Sequence, residues 1–297
     1  MVFLLHGKKF SKEIGMQIIE FLSDLNKRHF TVLSTESFYK QIKKVLNEHN
    51  NKIIKPISNV ENYKKRIDYL ICFGGDGTIL NAATLVKNTE IPIVGINTGR
   101  LGFLATISKH NLANLISILI SKNYRLSSRS VLNIDSQNTI IDTPFALNEI
   151  SVCSKENTSM INIKVMLNNN YLNTYWADGL IISTPTGSTG YSLSCGGPIV
   201  MPGSGNFIIT PIAPHNLNVR PLIVSDDNII TLEIVDNSTH KFLLSMDSRN
   251  QYIKNSTPII IKKAEHSIKL VEIESINYSK TLREKLLWGL DTRNNEF

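Results

Sequence analysis

Two segments of the chain bring together residue types able to handle a phosphate and a hydroxyl. The first is Gly74-Gly75-Asp76-Gly77-Thr78, set between an apolar run with strand character and a stretch with helical spacing. Paired glycines after a strand let the backbone turn sharply and approach a ligand without Cβ interference. The following helix offers unpaired N–H groups and a positive dipole end, a natural seat for phosphate oxygens. Asp76 needs a separate reason to be there, because a carboxylate repels phosphate. It could take the proton of an attacking hydroxyl, orient that hydroxyl, or hold Mg2+. The pentapeptide equally suits a plain turn, in which Asp-Gly supplies the dihedrals and Asp76 or Thr78 caps the helix.

The second segment runs from Asp178 to Pro198, where a strand, Leu180–Thr184, ends in a loop crowded with Ser, Thr and Gly. Such a loop can present donors and acceptors to a sugar or base, with Tyr191 available for stacking. A Ser/Thr-rich turn region of a β domain is the plainer alternative. Neither G-x-x-x-x-G-K-[ST] nor a G-x-G-x-x-G after the first strand occurs, which argues against a P-loop NTPase and an ordinary Rossmann dehydrogenase.

These loops need elements to hold them. Through residue 127 the chain alternates strand-like and helix-like runs, the pattern of an α/β domain with a mainly parallel sheet. Val2–Leu5, Phe30–Leu33, Tyr69–Phe73 and Ile91–Ile96 read as strands. Ile14–Leu25, Ser37–Glu48, Ile79–Val86 and Leu112–Ile120 read as helices. From about Ser130 short strand-like runs dominate, including Ile161–Leu167, Phe207–Thr210, Ile229–Val235, Phe242–Ser245 and Pro258–Ile261, and Asn168-Asn169-Asn170 reads as a turn. Tyr278–Leu290 regains helical spacing. The expected organisation is an α/β domain over 1–127, a β-rich domain over 128–272, and a segment over 273–297 that returns to the first domain.

At 297 residues, with 42% hydrophobic and 19% charged residues, the chain reads as a packed globular protein of two domains. The net charge of +7 is spread thinly; the densest basic run is Lys64-Lys65-Arg66, with no aromatic-interleaved stripe, so a nucleic-acid partner is not expected. A modest positive field does favour anionic nucleotides. No apolar run approaches the ~18 residues that cross a bilayer, and no membrane association is expected. The apolar start Val2–Leu5 reads as a strand rather than a signal peptide. Cys72, Cys153 and Cys195 lie far apart without metal-ligand spacing, so reduced thiols and a cytoplasmic location are expected.

Gly74–Thr78, Asn97-Thr98-Gly99-Arg100-Leu101-Gly102-Phe103-Leu104, Asn148-Glu149 and Asp178–Pro198 together resemble the ordered motifs of the NAD kinase family. The first motif is shared with diacylglycerol-type lipid kinases and phosphofructokinases; the later ones select NAD kinase. The resemblance implies a Rossmann-like N-terminal domain followed by an all-β domain. It also implies transfer of the terminal phosphoryl group of ATP to the 2′-hydroxyl of the adenosine ribose of NAD, giving NADP. Asp76 resembles the proton acceptor for that hydroxyl, with Gly74, Gly75 and Gly77 at the nucleotide. Phe103 sits where the family packs an aromatic against the ligand, and Asn148 and Glu149 resemble the pair contacting adenine and ribose. Asp178 resembles a dinucleotide-binding carboxylate. Thr189, Gly190, Tyr191, Ser192, Leu193 and Ser194 resemble the loop around the adenosine half.

Arg249 stands third in the turn Asp247-Ser248-Arg249, where the family often places a Gln that reaches the dinucleotide. Arg100 is a candidate for charge neutralisation. Ala213 and His215 fall in a segment that, in the family, approaches a neighbouring subunit's site; His215 is not counted as catalytic. The resemblance further implies Mg2+ or another divalent cation travelling with ATP, NAD as substrate, and a homodimer or homotetramer. Two positions depart from the pattern: Trp176 stands where related kinases often carry Arg, and Ser159 where some carry His. Both remove polar contacts near the dinucleotide and leave NAD versus NADH preference open.

Two rival functions share parts of this pattern. A lipid kinase would need an apolar acceptor pocket, which the hydroxyl-rich 183–194 block does not suggest. A non-catalytic dinucleotide sensor would have no use for Asp76.

Overall fold

The computed structural model describes residues 1–46, 53–135, 141, 143–154, 160–235, 241–254, 258–273 and 278–287. The chain divides into two compact units, one built from Met1–Ser128 with the chain from Ile268 onward, the other from Arg129–Ser267.

The first unit opens with β1 (Val2–Gly7), α1 (Lys12–Lys27), β2 (Thr31–Thr35), α2 (Glu36–Ile42) and β3 (Ile54–Ile57). It continues with β4 (Tyr69–Gly74), α3 (Asp76–Val86), β5 (Ile93–Asn97), β6 (Ile107–Ser108), α4 (Leu112–Ser121) and β7 (Arg125–Arg129). The second unit begins with β8 (Leu132–Asp135), β9 (Phe145–Ala146), β10 (Glu149–Ser154), β11 (Ile161–Leu167), β12 (Asn170–Ala177) and β13 (Gly179–Ser183). After the single turn α5 (Tyr191–Ser194) come β14 (Asn206–Ile212), β15 (Leu222–Ser225), β16 (Ile230–Ile234), β17 (Lys241–Met246), β18 (Arg249–Lys254) and β19 (Ile259–Lys263). The chain then re-enters the first unit with β20 (Ile268–Glu272) and α6 (Tyr278–Leu286).

The first unit is an α/β layer built on an eight-stranded sheet ordered β3-β2-β1-β4-β5-β20-β7, with β6 paired to β5. Strands β1 through β5 pair in parallel. All six residues of β4 are buried, as expected of a strand covered on both faces. In α1 the Ser11 hydroxyl accepts the Ile14 N–H at 3.4 Å, and Ile14, Ile18, Phe21, Leu22 and Leu25 form one buried stripe. That stripe packs with Phe3, Leu5, Ile71 and Phe73 in the core. Strand order reverses at β1, which has β2 on one side and β4 on the other. In open parallel sheets, ligands settle outside the carboxyl ends of strands at such a reversal. The loops there start at Gly7 and Gly74.

The second unit is all β. One six-stranded sheet runs β15-β14-β13-β10-β17-β18 and another β12-β11-β16-β19-β8-β9, and all pairs in both are antiparallel. Inward residues of both sheets share one core, among them Ile163, Val165, Leu180, Ile182, Phe207, Leu232 and Leu244. The hairpin between β11 and β12 turns through Asn168 and Asn169, with φ of 48° and 65°; that between β17 and β18 turns through Asp247 and Ser248, with φ of 47° and 69°. Asn and Asp tolerate this left-handed backbone better than most residues.

The α/β-then-β layout agrees with the reading of the sequence. The return to the first unit begins at Ile268 rather than at 273, because Leu270 pairs with Ile93 and makes β20 a strand of the parallel sheet. The expected helix over 37–48 is shorter, ending at Ile42; part of that stretch lies outside the described residues, as does the end of the helix expected over 278–290.

Candidate active site

In the first unit, Asp76 opens α3 with Gly75 as the N-cap residue, and no side chain caps the helix. The carboxylate turns instead to the loop after β5. Its Oδ2 accepts the Phe103 N–H at 2.9 Å, and its Oδ1 accepts those of Leu104 and Ala105 at 3.0 and 3.1 Å. Three successive backbone donors thus fix one carboxylate, a far stronger constraint than a capping turn imposes. Two glycines make room for it. A Cβ on Gly102 would stand 2.0 Å from Asp76 Oδ1, and one on Gly74 would stand 2.1 Å from Thr78 Oγ1. A Cβ on Gly75 would meet nothing within 4 Å, so that face of the turn is open. Asn97 braces the loop, its Oδ1 accepting the Gly99 N–H at 2.8 Å and its Nδ2 donating to the Arg100 carbonyl at 2.6 Å.

Cations border this turn. Lys285 of α6 places Nζ 3.5 Å from Asp76 Oδ2 and 4.8 Å from the centre of the Phe103 ring. Phe103 is buried, with its ring 6.0 Å from that of Tyr278 on the same helix. Lys8, just past β1, carries Nζ to 3.7 Å from where a Cβ on Gly77 would stand. His6, at the end of β1, meets Thr35 Oγ1 through Nδ1 at 3.1 Å. Burial drives its pKa down to about 4, helped by the charge of Lys8 and opposed by a hydrogen bond with Asn81, so the ring is neutral at neutral pH.

The second unit holds a counterpart built on the same device. Asp247, buried in the β17–β18 turn, accepts the backbone N–H groups of Leu147, Asn148 and Glu149 at 2.6, 2.8 and 3.2 Å. Asn148 and Glu149 are thereby held at the start of β10, a central strand whose Glu149 pairs with Ser183 of β13. Asn148 Oδ1 and Glu149 Oε2 are buried without a hydrogen-bond partner among the described residues. Two adjacent orphaned acceptors are costly unless a ligand supplies donors. Burial, then the charge of Asp247, push the Glu149 carboxyl up to about 7, against a hydrogen bond from the Tyr191 backbone. Gly190 passes so close that a Cβ there would lie 2.9 Å from Glu149 Oε2 and 3.4 Å from Asn148 Nδ2.

Comparison with known proteins decides the family. Residues 2–124 match the ATP-NAD kinase N-terminal domain and residues 147–273 the ATP-NAD kinase C-terminal domain. The chain is 47% identical to the NAD kinase of Christiangramia forsetii over 98% of its own length and 99% of that protein. It is 44% identical to the NAD kinase of Cytophaga hutchinsonii, over 99% of this chain and all of that one. The chain belongs to the NAD kinase family. It is therefore a phosphotransferase of the kinase type. Two solved structures share the fold at 24% identity each. One is yeast NADH kinase complexed with NADH, with a TM-score of 0.88 over all of this chain and 90% of that one. The other is an NAD kinase from Archaeoglobus fulgidus in complex with ATP, with a TM-score of 0.74 over 97% of this chain and 99% of that one.

Within this kinase, the residues singled out from the sequence fall into two groups. Gly74, Gly75, Asp76, Gly77 and Phe103 gather in the first unit. Asn148, Glu149, Gly190 and Tyr191 gather in the second, with Tyr191 exposed at the start of α5. Asp178 is exposed at the corner between β12 and β13. Much of the hydroxyl-rich block serves the protein itself. Ser192 is fully buried with its Oγ 2.8 Å from Thr210 Oγ1, and Thr189 Oγ1 donates to the Thr186 carbonyl at 3.3 Å. Ser188 bonds Pro185 and Val200, and Thr184 bonds the Leu147 carbonyl. Leu193 is half-buried and Ser194 exposed.

Arg249 also turns inward. Its guanidinium donates to the carbonyls of Thr143, at 2.8 Å, and Phe145, and lies 3.9 Å from Asp247. Trp176 is exposed and lies against His215, with ring centres 4.0 Å apart and the planes tilted by 31°. Ser159 lies outside the described residues.

The reading of the sequence missed Lys8, Lys285, His6 and the anchoring role of Asp247. A Lys after the first strand gave some signal for Lys8; nothing local pointed to Lys285. Among the described residues no three or more His, Cys, Asp or Glu side chains cluster as a metal site, and the Asp76 carboxylate is already held by backbone donors. No helix among the described residues is long and apolar enough to cross a membrane.

Proposed function

We propose that the chain transfers the terminal phosphoryl group of ATP to the 2′-hydroxyl of the adenosine ribose of NAD, releasing ADP and NADP. The observation that carries this reading is Asp76, an oriented carboxylate at the first residue of α3, directly after an open glycine turn at the strand-order reversal. The turn and helix start offer backbone donors to the phosphates, with Lys8 alongside. Asn148 and Glu149 supply two buried acceptors suited to donors on adenine or ribose. The relatives are NAD kinases, and the two solved structures of the same fold are complexes with NADH and with ATP, which supports these substrates.

In the reaction the ribose oxygen forms a bond to the γ-phosphorus while the bond from that phosphorus to the β,γ-bridging oxygen breaks. The hydroxyl proton passes to Asp76, and ADP departs with the electron pair of the broken bond. In a loose transition state, proton transfer can lag behind P–O cleavage, so the chief work of Asp76 is orientation. The same reading includes a divalent cation with ATP, a homodimeric or homotetrameric assembly and a cytoplasmic location.

The test is incubation of the purified protein with NAD, ATP and Mg2+, followed by 31P and 1H NMR of the dinucleotide product. A phosphate ester on the adenosine 2′ carbon supports the reading. ADP release with no such ester, or an ester elsewhere, refutes it.

A further inference from the structure

We propose that Lys285 exchanges partners during the reaction: it occupies Asp76 in the free enzyme and moves to the phosphates of the bound nucleotide. The inference rests on the phosphoryl-transfer reading above and adds a substrate-contacting residue from the C-terminal helix.

A carboxylate offers about four acceptor positions. On Asp76 all are taken: Oδ1 by Leu104 and Ala105, Oδ2 by Phe103 and by Lys285. A ribose hydroxyl can bond this carboxylate only by displacing one of them. The three backbone donors cannot leave easily, since the loop that carries them is braced by Asn97 and closed over Asp76 at Gly102. The Lys285 ammonium sits at 3.5 Å, a long contact, on a flexible four-carbon stem. It is the donor that yields.

Its other contact says where it goes. The Phe103 ring, whose centre lies 4.8 Å from the ammonium, keeps it beside the turn while the side chain stays partly open to solvent. Once separated from Asp76 it is free to meet another anion at close range. The nucleotide phosphates on the open Gly74–Gly77 turn, next to Asp76 in the chain, provide it. One movement thus frees the acceptor for the hydroxyl and adds a positive charge where the γ-phosphoryl group gains it most. Thr281 and Leu282, one turn before Lys285 in α6, are buried, so the helix stays docked while the longer lysine side chain swings.

The experiment compares wild type, Lys285→Met and Lys285→Arg in three readouts: steady-state kinetics with both substrates, calorimetric titration with a non-hydrolysable ATP analogue and separately with NAD, and Tm. Lys285→Met is expected to lower kcat about tenfold or more and weaken the ATP analogue by about fivefold or more, with NAD affinity within about twofold and Tm nearly unchanged. Lys285→Arg is expected to recover most of both losses. Three results would overturn the proposal. One is kcat and analogue affinity of Lys285→Met within about twofold of wild type. Another is a raised kcat in that variant, which would make Lys285 a plug alone. The third is weakening of both ligands together with a lowered Tm, which would make its role structural. Failure of the wild type to make NADP would refute the proposed function, whereas analogue titration still reads Lys285 independently.

Discussion

Gly102 and Asp76 are adjusted to each other across the first unit: a Cβ on Gly102 would stand 2.0 Å from Asp76 Oδ1. The carboxylate is gripped by the backbone just beyond that glycine and cannot simply step aside. Gly102→Ala should therefore push Asp76 out of its cradle and cost roughly a hundredfold in kcat, as expected when a reacting group is misplaced by about 1 Å. Steady-state kinetics checks this. Since the second unit is untouched, NAD titration should show affinity retained.

The Glu149 carboxyl, raised to about 7, makes dinucleotide affinity depend on pH. A ligand donating hydrogen bonds prefers the ionised carboxylate. Below pH 7 the free site must lose a proton to accept it, so affinity should fall roughly tenfold per pH unit under 7 and level off above. Above pH 7 the carboxylate is already charged and the dependence vanishes. Calorimetric titration of NAD between pH 5.5 and 8.5 in buffers of different ionisation heat, run on wild type and Glu149→Gln, tests both slope and proton release. A Glu149→Gln variant with an unchanged slope would count against this assignment.

Lys8 borders the glycine turn from the end of β1. Removing its charge in Lys8→Ala should raise KM for ATP about five- to tenfold while leaving KM for NAD within about twofold, the pattern of a lost phosphate contact. Equal rises in both constants would point to a disturbed fold instead.

His6 predicts an acid-sensitive first unit. Its folded pKa of about 4 lies below the ordinary histidine value of 6.5, so between those values the unfolded chain binds more protons. Stability is therefore full above pH 6.5 and declines as pH falls towards 4, by up to about 3 kcal/mol. Urea unfolding at stepped pH values should show this decline in wild type and a flatter curve in His6→Asn.

What the sequence disclosed, and what it hid, follows from the distance between partners. The Gly74–Thr78 turn declares itself because its strand, its glycines and its helix are contiguous. The turn at Asn168-Asn169 is legible for the same reason. Lys285 reaches Asp76 across 209 positions, and no local spacing encodes that contact. The internal bonding of the hydroxyl block is not legible locally, since the partners of Ser188 and Ser192, Val200 and Thr210, lie on segments read only as strands or loops. β12 is hard to see because Asn170–Ala177 sets its apolar residues side by side, as Tyr171-Leu172 and Tyr175-Trp176-Ala177, and carries no apolar alternation. β20 was assigned to the wrong unit because strand character is local, whereas its pairing with β5 is set by tertiary topology.

The central claim is that Asp76 receives the proton of the attacking ribose hydroxyl, and Asp76→Asn tests it most directly. The amide keeps the size but sets a donor against one of the backbone N–H groups of 103–105, so NAD and ATP-analogue affinities and Tm must be measured alongside turnover. NADP formation is expected to fall by about a thousandfold or more, with NAD affinity nearly unchanged and the fold intact. Turnover within about tenfold of wild type would contradict the assignment and move the search for the proton acceptor elsewhere in the chain.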